Sequence, residues 1–290
     1  MASVDEMEAF CRKWLNDRRG NLRLQRDLYL VTGLSDEQSN CWNASDAIAQ
    51  KWGPAVFSNW HAADATQRGT PAWDSATVRV LSFPNPPYTG APPFGSFIDF
   101  GNVVSDMIAD HHALRGASLM GEYDIVGHSM GGLDTFAALF DLDSTPAAEP
   151  PRRIANAFNL ATLDTPWRGV ANIAIRRKFE SDPQRLTQCD ALAASSPQLA
   201  AVDARAAELG QRVARLTCYG ADSAAQVEVS SANLFEDGTR FAAARAKTDY
   251  RFIVIPGVSH SGAFGITTSV ITIANLFDTL TRGDRLSVFT

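Results

Sequence analysis

The chain has 290 residues, of which 45% are hydrophobic and 20% are charged. A soluble chain of this length buries enough apolar surface for one large core or two small ones, so the composition excludes an intrinsically disordered protein. The net charge of −6 argues against a nucleic-acid-binding protein, because such proteins need a basic face to neutralise phosphates.

The apolar runs are too short to cross a membrane. Stretches such as Phe252–Val258 fall well below the roughly 20 residues that span a bilayer. The chain begins with Met1-Ala2-Ser3-Val4-Asp5-Glu6, which is acidic, whereas a secretory signal is basic and then apolar. We therefore expect no integral membrane segment and a cytoplasmic location.

Four widely spaced cysteines form no zinc or redox motif. They are Cys11, Cys41, Cys189 and Cys218. Without a secretory signal, buried free thiols are favoured, and two disulfides remain the alternative for a secreted protein.

Short apolar segments alternate with helical patterns along the chain. Ser3 and Glu6 form a capping box that predicts a first helix ending near Gly20. Residues 53–77, which include Trp60, show no periodicity and are predicted to be a surface excursion, and residues 170–212 are predicted to be mostly helical. The predicted strands are Leu28–Thr32, Val78–Phe83, Tyr123–Val126, Ile154–Leu163, Val213–Tyr219 and Tyr250–Ile255. The other predicted helices are Ser45–Trp52, Asp99–Gly116, Leu133–Phe140 and Ile266–Leu280.

This alternation is typical of a parallel sheet that is covered by helices on both faces. The sequence therefore predicts an α/β fold, with residues 1–290 forming a single domain.

Residues 127–131 read Gly-His-Ser-Met-Gly, a G-x-S-x-G motif. The motif follows a predicted strand and precedes a predicted helix, which is the setting of a nucleophile elbow. Glycine is needed two residues before and two residues after the serine, because the backbone there comes too close for a Cβ atom. We predict that Ser129 is a nucleophile, and a glycine-rich turn with an incidental serine is the alternative.

A serine hydroxyl becomes a good nucleophile when an imidazole accepts its proton and a carboxylate orients that imidazole. With the nucleophile elbow, the chain order is serine, then acid, then histidine. His260 is the one histidine that follows Ser129, and it lies in a loop after the apolar strand Tyr250–Ile255. We predict that His260 is the base and that His128 supports the elbow. Surface roles are expected for His61, His111 and His112.

The segment Tyr123–Gly132 resembles the lipase and esterase branch of the α/β-hydrolase superfamily, in which a strand runs into Gly-His-Ser-Met-Gly-Gly. The segment Asp164–Gly169 is similar to the Thr-Pro-His-x-Gly segment of bacterial lipases, with Trp167 in place of the histidine. The resemblance implies an α/β-hydrolase fold, with a mainly parallel sheet, helices on both faces and a small helical cap around residues 170–212.

The resemblance also suggests where the acid lies. The stretch Gly220–Ala232 looks like the lipase segment that carries it, which favours Asp222. Asp164 is the main alternative, because some lipases carry the acid one strand earlier, before a proline turn. The less favoured carboxylates are Asp190, Glu228 and Asp237.

Acyl transfer also needs two donors that face the developing oxyanion. In this fold one is the backbone N–H after the nucleophile, here Met130, and the other comes from the loop after an early strand. That loop, Thr32–Ser35, resembles the lipase His-Gly-apolar segment with Thr32 in place of the histidine, which makes the Leu34 N–H the second candidate. Among the aromatic residues predicted in loops, Trp167 is predicted to line the substrate pocket.

These residues together predict a serine carboxylic-ester hydrolase, an esterase or lipase that acts through an acyl-enzyme. The expected substrate is a small-molecule or lipid ester, and no metal or organic cofactor is implied. Cleavage of thioesters, amides or lactones, and acyl transfer to an alcohol, remain alternatives on the same triad. A cofactor-free lyase and a non-catalytic binding protein on the same scaffold are less favoured.

Overall fold

The computed structural model describes residues 2–34, 47–64, 80–83, 95–115, 122–142, 154–223, 227–235 and 249–282. In these ranges the strands are β1 (Leu28–Val31), β2 (Ala62–Asp64), β3 (Val80–Phe83), β4 (Tyr123–His128), β5 (Ala157–Leu163), β6 (Val213–Ala221) and β7 (Asp249–Ile255). The helices of the same ranges are α1 (Val4–Asp17), α2 (Gly53–Val56), α3 (Phe97–Arg115), α4 (Met130–Phe140), α5 (Ile173–Phe179), α6 (Pro183–Ala191), α7 (Pro197–Ala206), α8 (Val229–Ala232) and α9 (Val270–Arg282). A π-helical turn (Ala47–Trp52) and a 3₁₀ turn (Leu209–Gln211) complete the regular structure of the described residues.

The strands form one sheet in the order β2-β3-β1-β4-β5-β6-β7, and every neighbouring pair is parallel. The predicted α/β class with a parallel sheet is confirmed. After β1 the chain adds β2 and β3 on one side and then adds β4 to β7 on the other. The loops that follow β1 and β4 therefore separate at this reversal, where α/β sheets form binding crevices.

Alternate residues of β1 supply two separate cores. Leu28 and Leu30 belong to a buried cluster that includes residues of α1 and α9. Tyr29 and Val31 belong to a second cluster that includes residues of α3 and α4. Both faces of the sheet are thus covered by helices, which explains why its strands are apolar throughout.

Helix α1 begins as its sequence predicts. The Ser3 hydroxyl accepts a hydrogen bond from Glu6 N, and the Glu6 carboxylate accepts one from Ser3 N, so the capping box is confirmed. Helix α4 begins at Met130, three residues before the predicted start at Leu133. The glycines that follow Met130 read as a turn in sequence, but here they continue the helix up to the sheet.

Trp60 is not on a surface excursion. Its ring packs 5.5 Å from that of Phe57 and 6.1 Å from that of Phe277, and the residue is buried. Helix α2 and strand β2 also lie in this stretch, while residues 65–77 lie outside the described ranges. Apolar packing against α9 places this aperiodic segment in the core.

The expected surface role is wrong for two histidines. His111 and His112 are only 5% and 4% exposed at the end of α3. The Tyr29 hydroxyl shares a hydrogen bond with His111 Nδ1, and the rings of Tyr29 and Tyr123 pack around the pair. His61 is exposed, as expected.

The expectations for the cysteines, for membrane segments and for residues 170–212 have different outcomes. Cys11, Cys189 and Cys218 are buried and form no disulfide, whereas Cys41 lies outside the described residues. None of the helices in the described ranges is long and apolar enough to cross a membrane. Residues 170–212 contain α5, α6 and α7, so the helical content is confirmed, while the cap and the single-domain boundary remain predictions.

A carboxylate is buried at the opposite end of β4 from the elbow. Asp124 is fully buried, and its Oδ1 accepts hydrogen bonds from Asn159 N at 3.2 Å and Nδ2 at 2.8 Å. Its Oδ2 has no hydrogen-bond partner among the described residues. Burial raises the pKa of Asp124 to about 7, and the charge of Arg26 only partly opposes this rise.

We expect Asp124 to make the protein less stable as the pH rises. A folded-state pKa above that of the unfolded chain means that the unfolding free energy falls between about pH 4 and pH 7, by up to roughly 4 kcal/mol. Asp124→Asn should abolish most of this fall and should unfold at higher denaturant concentration than the wild type at pH 8. Urea melts from pH 4 to pH 8 measure the difference, and parallel pH profiles of the two proteins would contradict it.

Candidate active site

The register of the sheet brings distant loops to one edge. Val31 of β1 lies beside Gly127 of β4, and His128 of β4 lies beside Leu163 of β5. On the other side of β5, Ala221 of β6 lies beside Ile255 of β7. Because all the strands are parallel, the residues that follow β1, β4, β5 and β7 meet at their carboxyl ends.

Ser129 occupies the sharp bend between β4 and α4. Its backbone has φ 56° and ψ −130°, a region that residues with a Cβ atom rarely adopt. Its N–H donates to Leu163 O at 2.9 Å, which ties the bend to β5. A Cβ atom on Gly127 would lie 2.6 Å from the backbone of Gly132, so the strand and the helix can meet only without side chains there.

The hydroxyl of Ser129 faces an imidazole. His260 Nε2 lies 2.9 Å from Ser129 Oγ, and His260 Nδ1 lies 2.6 Å from Asp164 Oδ2. A carboxylate can only accept, so Nδ1 carries a hydrogen, and in the neutral ring Nε2 accepts the hydrogen of the serine hydroxyl. The three side chains form a continuous hydrogen-bonded chain.

Asp164 is held independently of the histidine. It follows β5 with φ 50°, and its side chain is 0% exposed. Its N–H donates to Tyr219 O at 2.7 Å, and its second oxygen, Oδ1, accepts from Ala221 N at 3.2 Å. Strand β6 therefore fixes both the backbone and the carboxylate that His260 contacts.

Asp222, which the sequence favoured as the acid, does not contact the imidazole. Asp222 is exposed, and its Oδ1 accepts from Gly257 N at 2.7 Å and from Ser223 Oγ at 2.9 Å rather than from His260. The carboxylate at His260 belongs to Asp164, the main alternative. Both acids follow strands that meet the same edge, and the backbone bend that turns Asp164 toward the imidazole has no clear sequence signal.

Of the other candidate acids, the two that lie within the described residues have other partners. Asp190 forms an ion pair with Arg177 at 2.5 Å on an exposed surface. Glu228 accepts a hydrogen bond from Ser230 Oγ at 3.5 Å. Asp237 lies outside the described residues.

The two candidate oxyanion donors lie on segments that contact the elbow. Met130 is the first residue of α4, so its N–H has no acceptor within the helix. A Cβ atom on Gly33 would lie 2.5 Å from Ser129 Cβ and 3.0 Å from its Oγ, so the loop that carries Leu34 runs directly beside the serine. The roles of the Met130 and Leu34 N–H groups remain predictions.

Trp167 lies in the core. It is 1% exposed, and its ring packs edge-on against Phe136 at 5.8 Å. It also lines a cavity of about 260 Å³ beside Arg168 and α7. Its predicted contact with substrate remains a prediction.

His128 makes a contact that its position in the motif does not predict. Its Nε2 lies 3.0 Å from the backbone oxygen of His260, and because a carbonyl only accepts, that nitrogen carries a hydrogen. Burial lowers the pKa of His128, which favours this neutral donor. The residue thus braces the loop of His260 in addition to lying in the elbow.

The described residues contain no group of three or more His, Cys, Asp or Glu side chains that could hold a metal ion.

Comparison with known proteins gives a structural likeness. No family model and no curated protein matches the chain. It is similar to phospholipase PlaB from Legionella pneumophila in complex with thio-NAD, with a TM-score of 0.58 and 14% identity over 89% of this chain and 59% of that chain. It is also similar to a second structure of phospholipase PlaB from Legionella pneumophila, with a TM-score of 0.54 and 15% identity over 89% of this chain and 61% of that one.

A third solved structure, the mature lipase BlEst2 from Bacillus licheniformis, aligns with a TM-score of 0.48 and 13% identity over 88% of this chain and 92% of that chain. This chain spans about three fifths of the length of the phospholipase structures. At these identities the likeness concerns the fold.

We expect Gly33→Ala to disturb Ser129 specifically. The added Cβ atom would lie 2.8 Å from His128 O as well as against the serine side chain, and neither backbone can retreat without shifting the elbow. The variant should react with a fluorophosphonate, a reagent for activated serines, at least tenfold more slowly than wild type, which is the scale expected for a small misplacement of a reacting group.

Gly20→Ala strains a backbone with φ 65° but places the added carbon within 4 Å of no neighbour, so it serves as the control for a general loss of stability. An unchanged rate of fluorophosphonate labelling in the Gly33 variant would contradict the close contact between Gly33 and Ser129.

Proposed function

We propose that this chain, which has the α/β-hydrolase fold, hydrolyses carboxylic esters with Ser129 as nucleophile, His260 as general base and Asp164 as the orienting acid. The observation that carries the proposal is the hydrogen-bonded chain from Ser129 Oγ through both imidazole nitrogens to a buried carboxylate. An isolated serine in a turn has no need of such an arrangement, whereas acyl transfer requires each part of it.

In the first half of the reaction Ser129 Oγ attacks the ester carbonyl carbon, and its proton passes to His260 Nε2. The Nδ1–H to Asp164 bond holds the ring in the required tautomer, and the carboxylate stabilises the imidazolium that forms. His260 then returns the proton to the leaving alkoxide. An acyl-Ser129 ester remains.

In the second half a water molecule gives a proton to His260 Nε2 and attacks the acyl carbon. The tetrahedral intermediate collapses, the carboxylic acid leaves and the proton returns to Ser129 Oγ. The N–H groups of Met130 and Leu34 are the proposed donors to the oxyanion in both halves, and each such donor contributes about 2.7–4 kcal/mol in other enzymes. The amino end of α4 adds favourable electrostatics for the same charge.

The proposed substrate class is a small-molecule or lipid ester. The PlaB structures are described as those of a phospholipase, which makes a lipid ester a reasonable first substrate to assay. Cleavage of thioesters, lactones or amides, and acyl transfer to an alcohol, would use the same triad and oxyanion donors. We propose that residues 170–212 act as a small cap on the single domain and that Trp167 contributes to the pocket wall.

The direct test is Ser129→Ala against chromogenic acyl esters of several chain lengths. Loss of the nucleophile should lower kcat by about 10⁴-fold or more, because the residual binding groups supply only a small part of the rate. Equal hydrolysis by both proteins, or none by either, would contradict the proposal and would favour a binding protein.

A second test concerns the acid. Asp164→Asn keeps the size of the side chain but allows the imidazole to adopt the wrong tautomer, so kcat should fall by about 10³–10⁴-fold. Asp190→Asn, at an exposed carboxylate paired with Arg177, is the matched control and should leave kcat unchanged. A fall of less than tenfold for Asp164→Asn, with a normal fall for Ser129→Ala, would assign the orienting role elsewhere.

A further inference from the structure

We infer that Asp222 is a positioning residue, which fixes the turn leading to His260 so that the imidazole meets both Ser129 and Asp164. The inference rests on the proposed function for its effect on turnover. It assigns a task to the carboxylate that the sequence favoured as the acid and that the structure places elsewhere.

The end of β6 is bonded to the chain that leaves β7. Asp222 N donates to Ile255 O at 3.3 Å, and Ser223 N donates to Val258 O at 3.1 Å. Between these two backbone bonds, Asp222 Oδ1 accepts from Gly257 N at 2.7 Å. The side-chain bond is the shortest of the three and closes on the centre of the turn.

Gly257 needs such a restraint. Its φ is +72°, which glycine reaches as readily as many other conformations, so the backbone alone does not select it. A Cβ atom there would meet just one neighbour, Val4 Cγ1 at 3.6 Å, and the residue is exposed. Packing therefore leaves Gly257 loose, and the carboxylate of Asp222 supplies the missing constraint.

The far side of the turn is already fixed. His128 Nε2 donates to His260 O at 3.0 Å, and Ser259 N donates to Phe264 O at 2.9 Å. These bonds fix the backbone at His260 and after it. They do not fix the direction in which the chain runs from β7 to His260. Asp222 sets that direction at Gly257, three residues before the ring, and the bond from Ser223 N to Val258 O continues it.

The contacts of Asp222 require an acceptor oxygen, and its side-chain donors in the described part of the chain are uncharged. Its Oδ1 accepts from the Gly257 N–H and from the Ser223 hydroxyl. An asparagine side chain offers an oxygen in the same place with no charge. A positioning role therefore predicts that Asp222→Asn works and Asp222→Ala does not, whereas a role as the triad acid predicts that both fail.

The experiment compares Asp222→Ala, Asp222→Asn and Ser223→Ala with wild type on one soluble ester. We expect Asp222→Ala to lower kcat about tenfold with KM within twofold, because a displaced base impairs the transition state more than binding. Asp222→Asn should recover most of the lost kcat. Ser223→Ala, which leaves the Gly257 bond intact, is the matched control and should match wild type.

Wild-type kcat in Asp222→Ala, or equal losses in the alanine and asparagine variants, would overturn the inference. Two further measurements, imidazole NMR of His260 and amide hydrogen exchange of Gly257, do not depend on turnover. The His260 Nδ1–H signal in imidazole NMR should broaden in Asp222→Ala and remain sharp in Asp222→Asn, and a sharp signal in both would overturn the inference.

In the wild-type protein, the Gly257 amide should exchange with solvent more slowly than the amide of Gly262, an exposed glycine in the same loop, and equal rates would also overturn it. If wild type hydrolyses no ester, the proposed function fails, and the NMR and exchange measurements still decide the role of Asp222.

Discussion

The tight contact between β1, β4 and α4 is the constraint on which the site depends. A Cβ atom on Gly131 would lie 2.3 Å from Thr32 O, and one on Gly132 would lie 2.0 Å from Thr165 Oγ1. Because these positions carry no side chain, the backbone can turn within a few residues and hold Ser129 at φ 56°. That conformation is strained, and the packing of the two cores on the parallel sheet holds it in place. The serine therefore remains at the edge where the imidazole lies.

The elements that could be predicted from sequence are those with a strong local signal. The capping box of Ser3 and Glu6, the apolar strand Leu28–Val31 and the glycine pattern around Ser129 each determine structure over a few residues. The contact between His260 and Ser129 could be expected because His260 is the one histidine after that serine, which is a fact of chain order.

The features that could not be predicted arise from contacts between distant segments. Trp60 is buried because Phe277 of α9 packs on it, and His111 is buried because Tyr29 of β1 reaches it. The choice of Asp164 over Asp222 depends on a backbone φ of 50° and on a bond from Ala221 N. Neither the residue types nor their spacing carries this information, since two aspartates after adjacent strands satisfy the same pattern.

The assembly order of the sheet has a consequence for biosynthesis. Ser129 and His260 are separated by 131 positions, and the imidazole is supplied by the loop after the outermost strand, β7. A nascent chain that has left the ribosome only as far as β6 already contains the elbow and Asp164 yet lacks the imidazole that contacts Ser129 and Asp164. The hydrogen-bonded chain from Ser129 to Asp164 can therefore form only after the segment that follows β7 has been synthesised.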